Sequence, residues 1–417
     1  MRFRLETFLN QYLAPGTTRA DAVFSVAAED SATAPTAARV VGLIADKSGS
    51  MDGEKMVSLK HALRVAVDQL DADVEAFVIS FDRESWLPFP LTRMDEAGKR
   101  AAHTAIQRLE AGGGTVMSKA LWAAREMFWQ RSGALCQAIM LTDGQNDTSD
   151  EKNLDQALAD CAGAFQADCR GVGTDWSPAQ LRTIASALIG SVQMVADPAG
   201  LAQDFHDTLE AALAKSIADV RLRLWMPKNA RLITVKQAFP TEIDLTSKIR
   251  PVDQRAIDVP LGAWGAGSQD YFATFEVTPL GVGDQMLVCR PSIVWGDKPD
   301  AAVQGANVTV TWTEDTGLST RIDMQVAHYS GQAEKARAIQ EGLEALERHD
   351  EATATLHLGR ALALAEQSGD AETTQRLRQV VEPDASGGTV RLRRDAGKVA
   401  VMDLDVASTR TVRAKRD

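Results

Sequence analysis

The stretch VVGLIADKSGSM (residues 40–51) opens with an apolar run, Val40 to Ala45, that is short and β-branched and stops abruptly at Asp46. It reads as a buried strand. Ser48, Gly49 and Ser50 follow at once. A carboxylate and two hydroxyls on a tight turn at the carboxyl end of a strand set hard oxygen ligands where an open α/β sheet normally takes its ligands. The stretch is a candidate metal site.

Two further loops carry groups of the same kind, in order along the chain. Thr115 lies in AGGGTVMSKAL, where the glycines allow a close turn and Met117, Leu121, Ala124 and Phe128 then recur at helical spacing. Asp143 lies in AIMLTDGQND, again at the end of an apolar run. Alone, an Asp at a strand end is usually a cap or turn former, and a Gly-Gly-Gly-Thr loop is usually only a loop. The three together, with helices between them, outweigh those plain readings. The pattern Asp46-x-Ser48-x-Ser50 with Thr115 and Asp143 resembles the metal-ion-dependent adhesion site (MIDAS) of von Willebrand factor type A (VWA) domains. The resemblance implies direct ligation by the Ser48, Ser50 and Thr115 hydroxyls, with Asp46 and Asp143 acting largely through water. Such hard oxygen ligands favour Mg²⁺, with Mn²⁺ able to substitute.

Outward from these motifs, residues 39–216 alternate strand and helix. Met56, Leu59, Leu63, Ala66 and Leu70 mark a first helix, and residues 74–81 a strand. Residues 86–91 carry two prolines and suit a sheet edge. Helices are predicted over 96–109, 154–165, 178–188 and 201–215, and strands over 167–172 and 191–195. This alternation predicts a doubly wound, Rossmann-like α/β domain with all three motifs at one rim. GVGTDW (171–176) lacks the third glycine of a dinucleotide fingerprint and reads as a turn.

Residues 219–328 change character: strand-like runs separated by Pro and Gly predict an antiparallel β-sandwich. The short extended pieces within residues 1–38 cannot bury a core alone, and are expected to complete that sandwich. Residues 332–382 carry apolar stripes at helical spacing and predict a small helical bundle. From Pro383 the chain turns polar and ends basic, which predicts a flexible tail. Thr409 and Thr411, beside Arg410 and Arg413, are candidate phosphorylation sites that a forkhead-associated (FHA) domain would read.

The bulk properties narrow the function. A net charge of −12 over 417 residues argues against nucleic acid as a partner. The N-terminus lacks a signal-peptide core, and no run is long and apolar enough for a membrane span, so a cytoplasmic protein is expected. The four cysteines lack Cys-x-x-Cys spacing and read as buried thiols. An Mg²⁺-dependent aspartyl phosphotransferase is the enzymatic rival. Such sites place a second carboxylate two residues after the nucleophile, and here that position is Ser48. No catalytic residues are assigned.

The likeness extends along the chain: LNQYLAPGTTRADAVFSV (9–26), DCRGVGTDW (168–176), SALIGSVQMVADPAGLAQDF (186–205), KQAFPTEIDLT (236–246) and STRTV (408–412) resemble a group of cytoplasmic bacterial VWA proteins. That group is linked with serine/threonine kinases, a PP2C-type phosphatase and tellurite or stress resistance. The resemblance implies a metal-dependent adaptor that captures an acidic residue of a partner. The alternative it leaves open is a substrate adaptor for an AAA+ ATPase of the MoxR or chelatase type.

Overall fold

The computed structural model describes residues 1–29, 37–131, 133–296, 302–383, 390–393 and 395–414. They divide into two compact units, one of which comprises residues 37–218 with Gly262–Trp264.

In that unit a six-stranded sheet runs in the order Ser85–Arg93, Glu75–Phe81, Arg39–Asp46, Leu135–Thr142, Gln166–Val172, Val192–Val195. All neighbours are parallel except the proline-bearing edge strand Ser85–Arg93, which is antiparallel. Arg39–Asp46 sits centrally and is buried on both faces, which is why its sequence is a continuous apolar run. Val41, Leu43 and Ala45 pack with helices Glu54–Gln69, Glu96–Gln107 and Leu201–Leu213. On the opposite face Gly42 leaves room for Phe77 and Phe128, since a Cβ there would lie 2.5 Å from the Phe77 ring. Phe128 belongs to helix Met117–Trp129 and stacks on Phe165 with ring centroids 4.7 Å apart. The central strand is followed in sequence by a neighbour on one side and later by Leu135–Thr142 on the other. The carboxyl ends of those strands therefore flank a topological switch point, where open α/β sheets bind ligands.

Two larger sheets lie in the second unit, besides a short two-stranded one near the C-terminus. One is ordered Arg2–Leu9, Arg19–Glu29, Gly267–Val277, Ala230–Phe239, Ile243–Asp244, and every pairing in it is antiparallel. The other centres on Lys215–Trp225, Gln285–Trp295 and Val308–Trp312, with Tyr12–Leu13 added in parallel to the last. The chain thus leaves these sheets after Arg19–Glu29 and rejoins them at Lys215–Trp225.

Helices Met324–Glu347, Glu351–Ser368, Ala371–Val380 and Lys398–Ala407 follow. Asp323, Asp350 and Asp370 each cap the helix after them, accepting backbone N–H bonds. Ile339, Leu343, Leu358, Ala361, Leu377 and Leu404 form the core between the helices. Within it Lys335 pairs with Asp370, both almost fully buried.

Two sequence expectations differ here. The first helix begins at Met324 rather than near residue 332, because Asp323 caps it and Val326 and Tyr329 bury against Val23, Ala238 and Ala414. The region from Pro383 is not a loose tail throughout. Val390–Leu392 pairs with Val381–Pro383, and Lys398–Ala407 buries Met402, Leu404, Val406 and Ala407. Beyond it, Glu242 N donates to the Thr409 carbonyl at 2.7 Å and Thr411 N to the Pro240 carbonyl at 3.1 Å. The residues that hold this segment are contributed by distant strands and carry no local signal.

Candidate metal centre

Asp46 ends the central strand, fully buried, and its two carboxylate oxygens are both engaged. Ser48 N donates to Oδ1 at 2.7 Å, and the Thr142 hydroxyl donates to Oδ2. Burial pushes the Asp46 carboxyl up to about 6, against the lowering effect of those hydrogen bonds, and the neighbouring Asp143 charge adds to the rise. The turn after Asp46 closes as a short 3₁₀ segment, Gly49–Met51. It brings Ser48 Oγ and Ser50 Oγ within 3.1 Å of each other.

Backbone bonds tie the other two loops to this turn. Gly112 N donates to the Lys47 carbonyl at 2.7 Å and Gly49 N to the Gly113 carbonyl at 3.1 Å, which fixes the Thr115 loop against the Ser48–Ser50 turn. Asp147 N donates to the Thr115 carbonyl at 2.8 Å, which fixes the Asp143 loop against it in turn. Asn146 and Asp150 then hold the start of helix Met117–Trp129: Met117 N donates to Asn146 Oδ1 at 2.8 Å, and the Ser118 hydroxyl to Asp150 Oδ1 at 2.5 Å.

All five residues singled out in the sequence meet here. Ser50 Oγ donates to Asp143 Oδ1 at 2.7 Å. Gly144 marks the common ground: a Cβ built on it would stand 3.1 Å from Thr115 Oγ1, 3.8 Å from Ser50 Oγ and 3.9 Å from Asp46 Oδ2. Oxygens from the Asp46–Ser50 turn and the Thr115 loop thus face the glycine of the third loop across one small space, which a side chain there would crowd. Among the described residues no group of three or more His, Cys, Asp or Glu side chains is placed to hold a metal. The donor set here is instead two carboxylates and three hydroxyls, a hard-oxygen cradle that fits Mg²⁺ or Mn²⁺ and leaves part of a dication's charge uncompensated.

Four contributors lie outside the motif reading: Thr142, which orients Asp46; Lys55, whose Nζ donates to Asp143 Oδ2; Gly144; and Asn146. Thr142 and Gly144 directly flank Asp143, so the signal was adjacent. Lys55 belongs to helix Glu54–Gln69 and had none. Beside the site, Lys47 pairs with Asp82 and lies 5.7 Å from the Trp86 ring centre. Lys47, Trp86, Leu87, Pro88, Phe89 and Arg108 help line a groove of about 840 Å³. Thr409 and Thr411 lie in the other unit, half-buried on the docked C-terminal segment. The Thr411 hydroxyl oxygen is buried without a hydrogen-bond partner.

Comparisons with known proteins bear on this arrangement. A family model for the von Willebrand factor type A domain matches residues 39–194, and one for the von Willebrand factor type A C-terminal domain matches residues 363–408. A solved structure of von Willebrand factor type A from Catenulispora acidiphila is 41% identical with a TM-score of 0.94, covering 99% of this chain and 97% of that one. VWA2, the ArnB paralog from Sulfolobus acidocaldarius, shares the fold at 13% identity and a TM-score of 0.62, covering 98% of each chain. Among curated proteins, an uncharacterized Synechocystis protein is 28% identical over 210 residues, 49% of this chain and 49% of its own length. Bovine inter-alpha-trypsin inhibitor heavy chain H4 is 28% identical over 193 residues, 42% of this chain and 21% of its own length. This chain therefore spans about half or less of those two relatives.

Proposed function

Because the chain belongs to the von Willebrand factor type A family, we propose that it is a non-enzymatic adaptor that captures an acidic residue of a partner protein through a divalent-cation site of the MIDAS type. The observation that carries this reading is the convergence of Thr115, Ser50 and Asp46 oxygens on the space above Gly144, with Ser48 and Asp143 hydrogen-bonded into the same cluster.

In this reading Ser48, Ser50 and Thr115 hold the ion through their hydroxyls, and Asp46 and Asp143 act one shell further out. Bound Mg²⁺ or Mn²⁺ would supply an incompletely neutralised charge that accepts a carboxylate oxygen from another protein. The chain's own residues provide the rest. Thr142 and the Ser48 amide hold Asp46 in one orientation, and the loop-to-loop backbone bonds pre-set the hydroxyls so that little ordering remains on binding. Exposed Trp86 and Leu87, beside Lys47, give the residues flanking a partner's carboxylate an apolar surface to cover.

The same geometry argues against phosphotransfer at Asp46. Its carboxylate is fully buried and held by two donors, and the position two residues on, where such sites carry a second carboxylate, is Ser48.

We place the adaptor in a cytoplasmic, phosphorylation-linked bacterial stress system, with a serine/threonine kinase, a PP2C-type phosphatase or an FHA-domain protein as partner. Among the described residues no helix is long and apolar enough to cross a membrane. The test is affinity capture from native lysate with wild type and Asp46→Ala, each with Mg²⁺ and with EDTA. Kinase or phosphatase partners retained only by wild type with Mg²⁺ support the proposal; an ATPase ring retained on the same terms would redirect it to the alternative of a substrate adaptor for an AAA+ ATPase. Partners indifferent to EDTA and to Asp46→Ala would overturn it.

A further inference from the structure

A cation site built from hydroxyls and carboxylates has no need of an ammonium group, yet one is present. Lys55 Nζ donates to Asp143 Oδ2, while Ser50 Oγ occupies Asp143 Oδ1 at 2.7 Å. Both oxygens of Asp143 are therefore engaged. A carboxylate oxygen can accept two donors, so the neutral Ser50 hydroxyl and a metal-bound water could share Asp143, whereas the Lys55 ammonium sets a full positive charge where the ion's own charge would act. Ser50 is itself among the hydroxyls that face the ion's space, and it sits on a turn that two backbone bonds tie to the Thr115 loop. Lys55 has a flexible four-carbon stem and a side chain 26% exposed, against 0% for Asp143. Lys55 is the donor with somewhere to go.

Electrostatics points the same way. Asp46 and Asp143 are both fully buried, so two carboxyl groups stand close together with little solvent to screen them. Without a divalent ion, Lys55 is the ammonium that meets this pair, at Asp143. With one, a dication and an ammonium would stand side by side against the same carboxylate, where repulsion is poorly screened. Each positive group therefore weakens the hold of the other.

We propose that Lys55 is a tethered counter-cation that competes with the divalent ion for Asp143, so that loading the site requires Lys55 to swing outward and this one side chain sets the metal affinity. The inference rests on the metal-site reading above and adds its regulation. Lys55 stabilises the metal-free protein and weakens metal binding. Once displaced, its ammonium stands at the rim of the site, where a partner's carboxylate would approach.

The experiment uses the full chain and the metal alone. Mn²⁺ is titrated calorimetrically into wild type, Lys55→Gln, Lys55→Arg and Asp46→Asn, and each protein is melted in EDTA and in saturating Mg²⁺. Lys55→Gln should bind Mn²⁺ about tenfold more tightly than wild type, a change of the size that groups behind metal ligands produce. It should also melt lower than wild type in EDTA and gain more from Mg²⁺. Lys55→Arg, which keeps the charge, should stay at or below wild-type affinity. Equal or weaker binding by Lys55→Gln, with Asp46→Asn abolishing binding, would overturn this inference and leave the metal site standing. Lys55→Arg binding as tightly as Lys55→Gln would overturn it too, because charge would not be the cause. No binding by wild type or by Lys55→Gln would remove both readings.

Discussion

Ser50 Oγ donates to Asp143 Oδ1 across 2.7 Å, joining residues 93 positions apart in the chain. The contact exists because two parallel strands deliver their carboxyl ends to one rim and each runs straight into a turn bearing short oxygen side chains. Everything proposed for this protein depends on that convergence.

Gly144 is the sharpest structural probe of the space between the loops. Alanine there would put a methyl 3.1 Å from Thr115 Oγ1, closer than the hydroxyl tolerates without shifting. Gly144→Ala should weaken Mn²⁺ binding by about tenfold or more, while costing about 1 kcal/mol of stability, the middle of the range for point substitutions. Calorimetric titration and thermal melting, run on the same samples, separate the two.

The sheet makes its own demand at Gly42. A Cβ there would stand 2.5 Å from the Phe77 ring and 2.9 Å from that of Phe128. Gly42→Ala should destabilise the unit by about 1–3 kcal/mol, the usual cost of overpacking a filled core. Denaturant melts followed by tryptophan fluorescence would show it; an unchanged midpoint would mean that the helix Met117–Trp129 stands further off than described.

Asp370 governs acid sensitivity in the helical region. Burial raises its pKa, but the Lys335 ammonium and the Thr373 amide and hydroxyl outweigh that and hold it below its ordinary value. A carboxyl depressed on folding contributes stability that is present above its unfolded value of 3.8 and is lost as pH falls through the folded one. Asp370→Asn should therefore cost about 3–5 kcal/mol at pH 7, the penalty for orphaning a buried charge such as Lys335. The difference from wild type should shrink as pH drops below the carboxylate range. A pH series of urea melts on both proteins checks the sign.

The docked C-terminal segment changes what phosphorylation at Thr409 or Thr411 would require. Arg413 bonds Asp270 at 3.3 Å and Ser25 at 3.2 Å, and Tyr329 donates to the same Asp270. A kinase needs an extended, detached peptide, so modification should follow local undocking. Arg413→Ala, which removes the clamp, should be phosphorylated by a serine/threonine kinase several-fold faster than wild type, as read by mass spectrometry over a time course. Equal rates would show that the segment detaches freely without that change.

Much of this was legible in the chain, and the gaps have physical causes. The sheet unit announces itself because buried parallel strands require apolar runs and amphipathic helices require a period near 3.6, both local patterns. The Asp46, Ser48 and Ser50 triplet, Thr115 and Asp143 are likewise readable, since each sits at the foot of such an element. Lys55 was not: an exposed-looking lysine on a helix gives no hint that its ammonium reaches a carboxylate 88 positions away. The C-terminal segment failed for a related reason. VAVMDLDVA alternates as a strand would, and the surfaces that hold it and the residues after it, from Pro240 to Asp270 and Tyr329, come from distant parts of the sequence. Basic and polar residues at its end then disguised a packed element as a tail.

Whether three loops build one divalent-cation site can be read at Thr115, because Thr115→Val removes a hydroxyl while keeping the shape. Mn²⁺ titrated into the full chain and followed by electron paramagnetic resonance should show one saturable site in wild type that is lost in Thr115→Val, with both proteins melting alike in EDTA. Binding that is absent in wild type, or unchanged when the Thr115 hydroxyl is gone, would rule that site out.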